Sequence, residues 1–307
     1  MPRRRPIRPQ SPRRLRPVPE ATIQVERLPD ARAFLEAAGP FLERREAEHN
    51  LLFGIAANLI TDPDRPMTAP PLFAVVRRAG EVVAAALMTP PFNVVLSWTH
   101  DPDAIPALAG ELTRARLDIP GITAPPQIAH AFAKAWAGPH GQIAERTMAE
   151  RIYRLERVTP PRGVPGTLRI AGQGDRELLR TWTHAFLLEA LGRPDEKEAR
   201  DVVDGALRTG TRTFYLWEHD GRPVSMAGVT GPTPHGIRVG PVYTPRADRG
   251  NGFGSAVTAA ASQAQLDQGR RFVFLFTDLD NPTSNKIYQA IGYEPVIDID
   301  QWSFEPI

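Results

Sequence analysis

The chain has 307 residues, of which 42% are hydrophobic and 23% charged, and it contains no cysteine. This composition is typical of a soluble globular protein with enough chain for two domains. No apolar run approaches the ~20 residues of a membrane span. The lack of cysteine excludes a disulfide, a thiolate metal site and a cysteine acyl-enzyme. We therefore expect a cytoplasmic protein that does not associate with a membrane.

The formal net charge of +2 conceals a basic N-terminus. Residues 1–20 contain seven arginines and one glutamate, which is +6 and leaves −4 for the remaining residues. This proline-rich segment has no apolar core of a signal peptide, so we predict a disordered tail. Arginine-rich arms can bind nucleic acid. However, arginine outnumbers lysine 34 to 3 in the whole chain, which favours a compositional bias, and we do not expect a nucleic-acid partner.

The first half of the chain has the patterns of alternating strands and helices. A strand is predicted at 22–26, helices at 31–38 and 41–60, and strands at 72–78, 81–87 and 92–98. Prolines then cluster between Pro160 and Pro165, which predicts a linker at 159–166.

The second half repeats this order with clearer signals. The predicted elements are a strand at 167–171, helices at 175–191 and 195–207, a hairpin of 212–218 with 223–229, a strand at 237–244, a helix, a strand at 272–277, a second helix and a last strand at 296–304. Gly240 and Pro241 interrupt the strand at 237–244, and a ladder usually breaks at such a pair because proline cannot donate a hydrogen bond.

A glycine-rich loop follows that strand and precedes an alanine-rich helix. It contains Arg249, Gly250, Gly252 and Gly254. Exposed backbone N–H groups at a helix start bind phosphate, and an arginine adds a fixed positive charge. The glycine spacing differs from the Rossmann fingerprint, which argues against a dinucleotide site. The loop therefore predicts a pyrophosphate site.

A second motif lies downstream, where Asn281 is followed by Tyr288 and then by Gly292 and Tyr293. Together with the glycine-rich loop, this order resembles the GCN5-related N-acetyltransferase (GNAT) family over residues 167–304. The resemblance implies an α/β fold with a mixed sheet. It also implies acetyl-CoA as co-substrate and direct acetyl transfer to a primary amine of a small molecule or a protein. The seven histidines show no spacing typical of metal ligands, so no metal is expected. Two alternatives remain, a non-catalytic acyl-CoA sensor of the same fold and a nucleic-acid-associated factor.

The resemblance also implies roles for individual residues. The Val242 N–H would polarise the thioester oxygen, and Tyr288 would act as general acid toward the leaving thiolate. Asn281 either binds the pantetheine amide or caps a helix. The expected coenzyme-binding set is Val242, Tyr243, Thr244, Arg249, Gly250, Asn251, Gly252, Phe253, Gly254, Ser255, Asn281 and Ser284.

The sequence does not assign the base that deprotonates the amine. The candidates are Glu189, His184, Glu218, His235 and Asp278, and for each alone a structural role is the commoner one. Four aromatic residues either line an acceptor pocket or belong to the core, namely Trp182, Phe186, Tyr215 and Trp217.

The first half follows the same order of elements but has no glycine loop or arginine where the phosphate loop should occur, at Thr99 to Pro106. We therefore expect two tandem GNAT-like copies, a degenerate one at 21–158 and a catalytic one at 167–307. The degenerate copy would complete the substrate cleft or a subunit interface, in a monomer or homodimer.

Overall fold

The computed structural model describes residues 22–192 and 195–307, so the predicted tail at 1–20 lies outside the described residues. The first half contains β1 (Ile23–Arg27), α1 (Ala31–Glu43), α2 (Asn50–Thr61), β2 (Leu72–Arg78), β3 (Glu81–Met88), β4 (Val94–Leu96), α3 (Ala104–Arg114), β5 (Gly121–Ala124), α4 (Pro126–Trp136) and β6 (Gln142–Leu155). The second half contains β7 (Thr167–Ile170), α5 (Arg176–Leu191), α6 (Glu196–Thr209), β8 (Arg212–His219), β9 (Arg222–Thr230), β10 (Gly236–Tyr243), α7 (Phe253–Asp267), β11 (Phe272–Asp278), α8 (Pro282–Ala290) and β12 (Glu294–Pro306). No helix in this described part is both long and apolar enough to cross a membrane.

The twelve strands form one mixed sheet in the order β1-β2-β3-β4-β5-β12-β6-β11-β10-β9-β8-β7. The pairs β4–β5 and β10–β11 are parallel, whereas the other neighbours are antiparallel. The two halves contribute the same succession of strands and helices, and each has a parallel pair at the same place in that succession. The expected mixed α/β architecture with two copies of one fold is confirmed.

The last strands of the two halves are exchanged. Strand β6 of the first half pairs with β11 of the second, from Leu155 opposite Val273 to Glu150 opposite Asp278. Strand β12 of the second half pairs with β5 of the first, and β6 and β12 also pair with each other along almost their whole length. Each half-sheet is thus completed by a strand from the other half, and the joined ladders leave no free edge at the centre.

Helices cover both faces of the sheet, because alternate residues of a strand point to opposite sides. In β2, Phe73 and Val75 pack under α1 and α2, whereas Leu72, Ala74 and Val76 face α3 and α4. In the second half, α7 and α8 cover one face and α5 and α6 the other. Trp182 and Tyr215 are buried in these cores, which decides between the two interpretations of those aromatic residues.

The predicted helix at 41–60 is wrong at its start. Helix α1 continues through Pro40 to Glu43, and the chain then turns over residues 44–49 before α2 begins. His49 stabilises this turn, since its Nδ1 donates to Leu42 O at 2.9 Å and its Nε2 accepts from Trp98 N at 3.2 Å. The position of the break thus depends on contacts that local propensity does not contain.

The same turn joins the two halves through Glu46, whose side chain is buried. Its carboxylate accepts hydrogen bonds from the Thr233 hydroxyl, from His235 N at 2.8 Å and from His235 Nδ1 at 2.8 Å. Nearby, the backbones of Gly54 and Gly231 approach so closely that a Cβ on Gly54 would lie 2.7 Å from Gly231 Cα. The halves therefore form one packed body.

Candidate active site

Strands β10 and β11 separate along their length and open a wedge in the sheet. They pair only at residues 236–238 of β10, and the β10–β9 register shifts between Val239 and Val242. The expected interruption at Gly240 and Pro241 is present. Strand β11 remains paired to β6 up to Asp278, so its far end stays in the sheet. Residues 239–243 and 275–278 consequently face each other across an opening where backbone groups lack a strand partner.

A cavity of about 830 Å³ fills this wedge, and we call it the loop cavity. All residues expected to bind the coenzyme line it except Asn251, as does Tyr288. Asn251 instead donates from Nδ2 to Asp248 O at 3.1 Å, within the loop. The structure therefore brings the two sequence motifs to one cavity.

The glycine-rich loop is held in shape by its own contacts. Gly250 and Gly252 have φ values of +83° and +79°, a region that side-chain-bearing residues rarely adopt, and α7 begins at Phe253. Arg222 donates to both carboxylate oxygens of Asp248, at 2.6 and 3.1 Å, and this contact lowers the pKa of Asp248. The backbone N–H groups at the start of α7 thus border the loop cavity in a preformed loop.

Arg249 is already ion-paired. Its Nη2 lies 2.8 Å from Glu189 Oε2, and its Nε donates to Thr244 O at 2.9 Å. The hydrogen bond from Arg249 is the main reason why the pKa of Glu189 is lowered. An anion entering the loop cavity would meet this guanidinium at the rim and compete with Glu189 for it. A carboxylate so stabilised in its charged form is a poor proton acceptor.

Helix α8 presents Tyr288 to the same cavity. Its hydroxyl has no hydrogen-bond partner within residues 22–192 and 195–307, and burial raises the pKa of Tyr288 to about 12. Asn281 caps this helix, because its Oδ1 accepts from Ser284 N at 3.0 Å. Of its two expected roles, the capping one is observed. Tyr288 is therefore a protonated, unengaged donor at neutral pH.

Most of the candidate bases are engaged elsewhere. Glu218 is ion-paired with Arg169 at 2.7 Å, and His235 contacts Glu46. His184 does not line the loop cavity, whereas Asp278 does. Only Asp278 among the five candidates combines a place in this cavity with a carboxylate outside any ion pair seen in the described residues.

The structure adds a carboxylate that sequence reasoning missed, Glu150 on β6. It lies opposite Asp278 in the ladder and accepts from Gln301 Nε2 at 2.6 Å. Burial is the main reason why the pKa of Glu150 is raised, and the charge of Asp278 raises it further. Because β6 comes from the first half, no local motif of the second half could reveal this residue.

A second cavity, of about 710 Å³, adjoins the first, and we call it the inter-half cavity. Glu150, Gly240 and Phe276 line both cavities, so they form part of a shared wall. The inter-half cavity is bounded by α2 and β12 as well as by α5 and β10, hence by both halves of the chain. Phe186, one of the four aromatic residues considered above, also lines both cavities.

In the first half, the loop that corresponds to the glycine-rich loop contains aspartates. Between β4 and α3, Asp101 and Asp103 accept hydrogen bonds from Arg78 Nη2 at 2.8 and 2.6 Å. The hydrogen bond from Arg78 lowers the pKa of Asp101, so this carboxylate is charged. The first half thus has two aspartates ion-paired with one arginine at the place where the second half has its glycine-rich loop.

Comparisons with known proteins agree with this geometry. Residues 176–293 match the acetyltransferase (GNAT) family model. Over 156 residues, the chain is 30% identical to a mycothiol acetyltransferase of Kytococcus sedentarius, an alignment that covers 49% of this chain and 52% of that protein. The chain thus spans about half the length of the curated relative it matches.

Solved structures share the fold over nearly the whole chain. A tandem GNAT protein from the clavulanic acid biosynthesis pathway is 18% identical with a TM-score of 0.54, over 92% of this chain and 97% of its own. A GNAT-family acetyltransferase from Colwellia psychrerythraea is 10% identical with a TM-score of 0.54, over 92% and 100%. The protein therefore has a tandem GNAT fold, and residues 176–293 of its second half match the GNAT acetyltransferase family.

Proposed function

We propose that the protein transfers an acetyl group from acetyl-CoA to a primary amine, with the coenzyme in the loop cavity and the amine in the inter-half cavity. The observation that supports this proposal most is the position of Glu150. It lies in the wall shared by the two cavities and has a raised pKa. A carboxylate whose pKa is raised binds a proton more strongly than an ordinary carboxylate, which suits it to accept a proton from an incoming amine.

The chain has residues suited to each part of the reaction. The loop from Arg249 to Ser255 binds the pyrophosphate through its backbone N–H groups. Residues 242–244 border the wedge and pair with the pantetheine arm, and the Val242 N–H donates to the thioester oxygen as that oxygen gains charge. The Tyr288 hydroxyl donates to the sulfur as it leaves.

The proton balance closes within this set. The amine nitrogen forms a bond to the acetyl carbon while the bond from that carbon to sulfur breaks. Glu150, assisted by its neighbour Asp278, takes the proton that the amine loses, and Tyr288 protonates the departing sulfur. Solvent then restores both side chains, so the products are an N-acetyl amine and coenzyme A. The proposal needs no metal.

Release of coenzyme A tests the proposal directly. The full chain is mixed with acetyl-CoA and a panel of primary amines, and the coenzyme A that forms is separated and quantified by chromatography, so that an acceptor with its own thiol does not interfere. The panel includes the unacetylated form of mycothiol, because a relative is named for acetylating that compound. Amine-dependent thiol release is expected. Tight binding of acetyl-CoA without turnover on any amine would instead support an acyl-CoA sensor of GNAT fold.

A further inference from the structure

The inter-half cavity contains hydrogen-bond donors that nothing in the described structure satisfies. Four buried side-chain nitrogen or oxygen atoms lack a partner among the described residues, and three of them line this cavity: Arg238 Nη1, Thr183 Oγ1 and Trp302 Nε1. All three can donate a hydrogen bond. Because native proteins satisfy nearly all buried polar groups, such a cluster indicates a missing acceptor.

Three arginines contribute to the lining of the same cavity. Arg212 on β8 and Arg238 on β10 are both aligned with Thr230 of β9, so their side chains lie on one face of the sheet in one row. Arg65 follows α2 and lines the cavity from the other half. No carboxylate of the described residues lies within ion-pairing distance of Arg212 or Arg238.

The lowered pKa values of Arg212 and Arg238 show that their charged forms are destabilised in the cavity. Desolvation by burial, with repulsion from Arg238 and Arg65, lowers the pKa of Arg212 to about 9. Burial also lowers the pKa of Arg238 to about 10, which the charge of Glu150 partly opposes. Both guanidinium groups stay charged at neutral pH. Unpaired cations in a cavity destabilise a fold, so their presence indicates a functional anion site.

The two carboxylates of the cavity do not neutralise it. Among the described residues, the titratable side chains of the lining are Arg65, Arg212 and Arg238 with Glu150 and Glu198, whose formal charges sum to +1. Glu150 and Arg238 are close enough for the charge of each to affect the pKa of the other. A ligand with a cationic or amine group next to an anionic group matches this pair of neighbouring charges.

We infer that the amine acceptor bears an anionic group close to its amine, as an amino acid does, and that Arg212 and Arg238 bind this group while Glu150 faces the amine. That the bound amine is an acetyl acceptor rests on the proposed function, whereas the binding of its anionic group by the two arginines does not. A planar guanidinium pair suits a carboxylate, and a phosphate offers the same hydrogen-bond acceptors. Thr183 and Trp302 supply further donors.

Pairs of amines that differ only in an anionic group test whether a carboxylate or a phosphate is the group that binds. L-Phenylalanine is compared with phenethylamine, L-leucine with isopentylamine, and O-phosphoethanolamine with ethanolamine, by titration calorimetry on the full chain without acetyl-CoA. The anionic member of at least one pair should bind about 100-fold more tightly than its partner. If no pair shows a preference of about tenfold or more, the inference is wrong.

Variants then assign the preference to the arginines. Arg238→Met and Arg212→Met should each abolish it, and Arg238→Lys should restore part of it, since lysine keeps the charge but not the paired donors. Arg200→Met, at an exposed site on α6, is the matched control and should keep it. A preference that survives both methionine variants overturns the inference.

The readouts distinguish this inference from the proposed function. Arg212→Met relieves repulsion from Arg238 and Arg65 but also removes the hydrogen bond that Arg212 Nη1 donates to Gly240 O at 3.2 Å. The melting temperature of each methionine variant is therefore measured as well, and a value close to that of the wild type excludes misfolding as the cause of lost binding. If the wild-type protein binds anionic amines through its arginines but never releases thiol from acetyl-CoA, the proposed function fails and the anion site remains. If it releases thiol equally fast with both members of every pair, the acceptor inference fails and the acetyltransferase function remains.

Discussion

Replacing Glu150 by glutamine removes the proposed base while keeping size and hydrogen-bonding capacity. The side chain accepts from Gln301 Nε2 at 2.6 Å, and Gln301 can re-form a hydrogen bond with the Oε1 atom of the new amide. Positioned general bases contribute about 10²- to 10⁴-fold to rate, so we expect kcat/KM to fall by that factor, which corresponds to about 3 to 5 kcal/mol.

The same substitution should stabilise the folded protein. Burial raises the pKa of Glu150 above 4.5, so the folded state favours the protonated form. As the pH rises above 4.5, the unfolded chain loses this proton first and the folded state is destabilised relative to it. Stability is therefore highest below this pH and decreases as the pH rises through the folded-state pKa. The Glu150→Gln variant has no carboxyl group to ionise here, so it does not lose stability in this way. Its melting temperature should be higher than that of the wild type at neutral pH and the same as that of the wild type below pH 4.5.

Two measurements check this reasoning, pH profiles of kcat/KM and of melting temperature. The wild-type kcat/KM should rise with pH as Glu150 ionises, and this limb should be absent from the variant. Glu145→Gln is a matched control, because Glu145 is an exposed residue of the same strand and lines neither cavity. If Glu150→Gln retains wild-type kcat/KM across the profile, Glu150 is not the base.

Three further substitutions test other parts of the site. Tyr288→Phe should keep acetyl-CoA binding but lower kcat by about 100-fold, most visibly below the thiol pKa of about 8.5, and unchanged turnover there would remove the acid role. Gly252→Val should abolish acetyl-CoA binding in calorimetry. Gly269→Val, also at a positive φ of +90° but at the far end of α7, should strain the backbone without that loss, and similar affinities for both would contradict the loop assignment. Glu46→Gln weakens the contact between the halves and should lower the melting temperature, while an unchanged melting temperature would show that this buried carboxylate adds nothing to their association.

Local patterns of the sequence were sufficient to predict most of the residues that line the loop cavity. The glycines at 250 and 252 require backbone conformations that other residues avoid, and the interruption at Gly240 and Pro241 follows from the missing proline donor. These are properties of neighbouring residues, which the sequence states directly. The order of strands and helices in each half was predictable for the same reason, because hydrophobic periodicity is local.

The lining of the inter-half cavity could not be predicted in this way. Glu150 lies in the first half, and only the exchange of β6 and β12 places it opposite Asp278. Arg212 and Arg238 are separated by a whole hairpin, and their alignment depends on the register of β9 between them. Strand exchange and register are set by long-range pairing, which local propensity does not predict. The sequence by itself determined the resemblance to the GNAT family and the glycine-rich loop, whereas only the tertiary structure decided which carboxylates and arginines line the inter-half cavity.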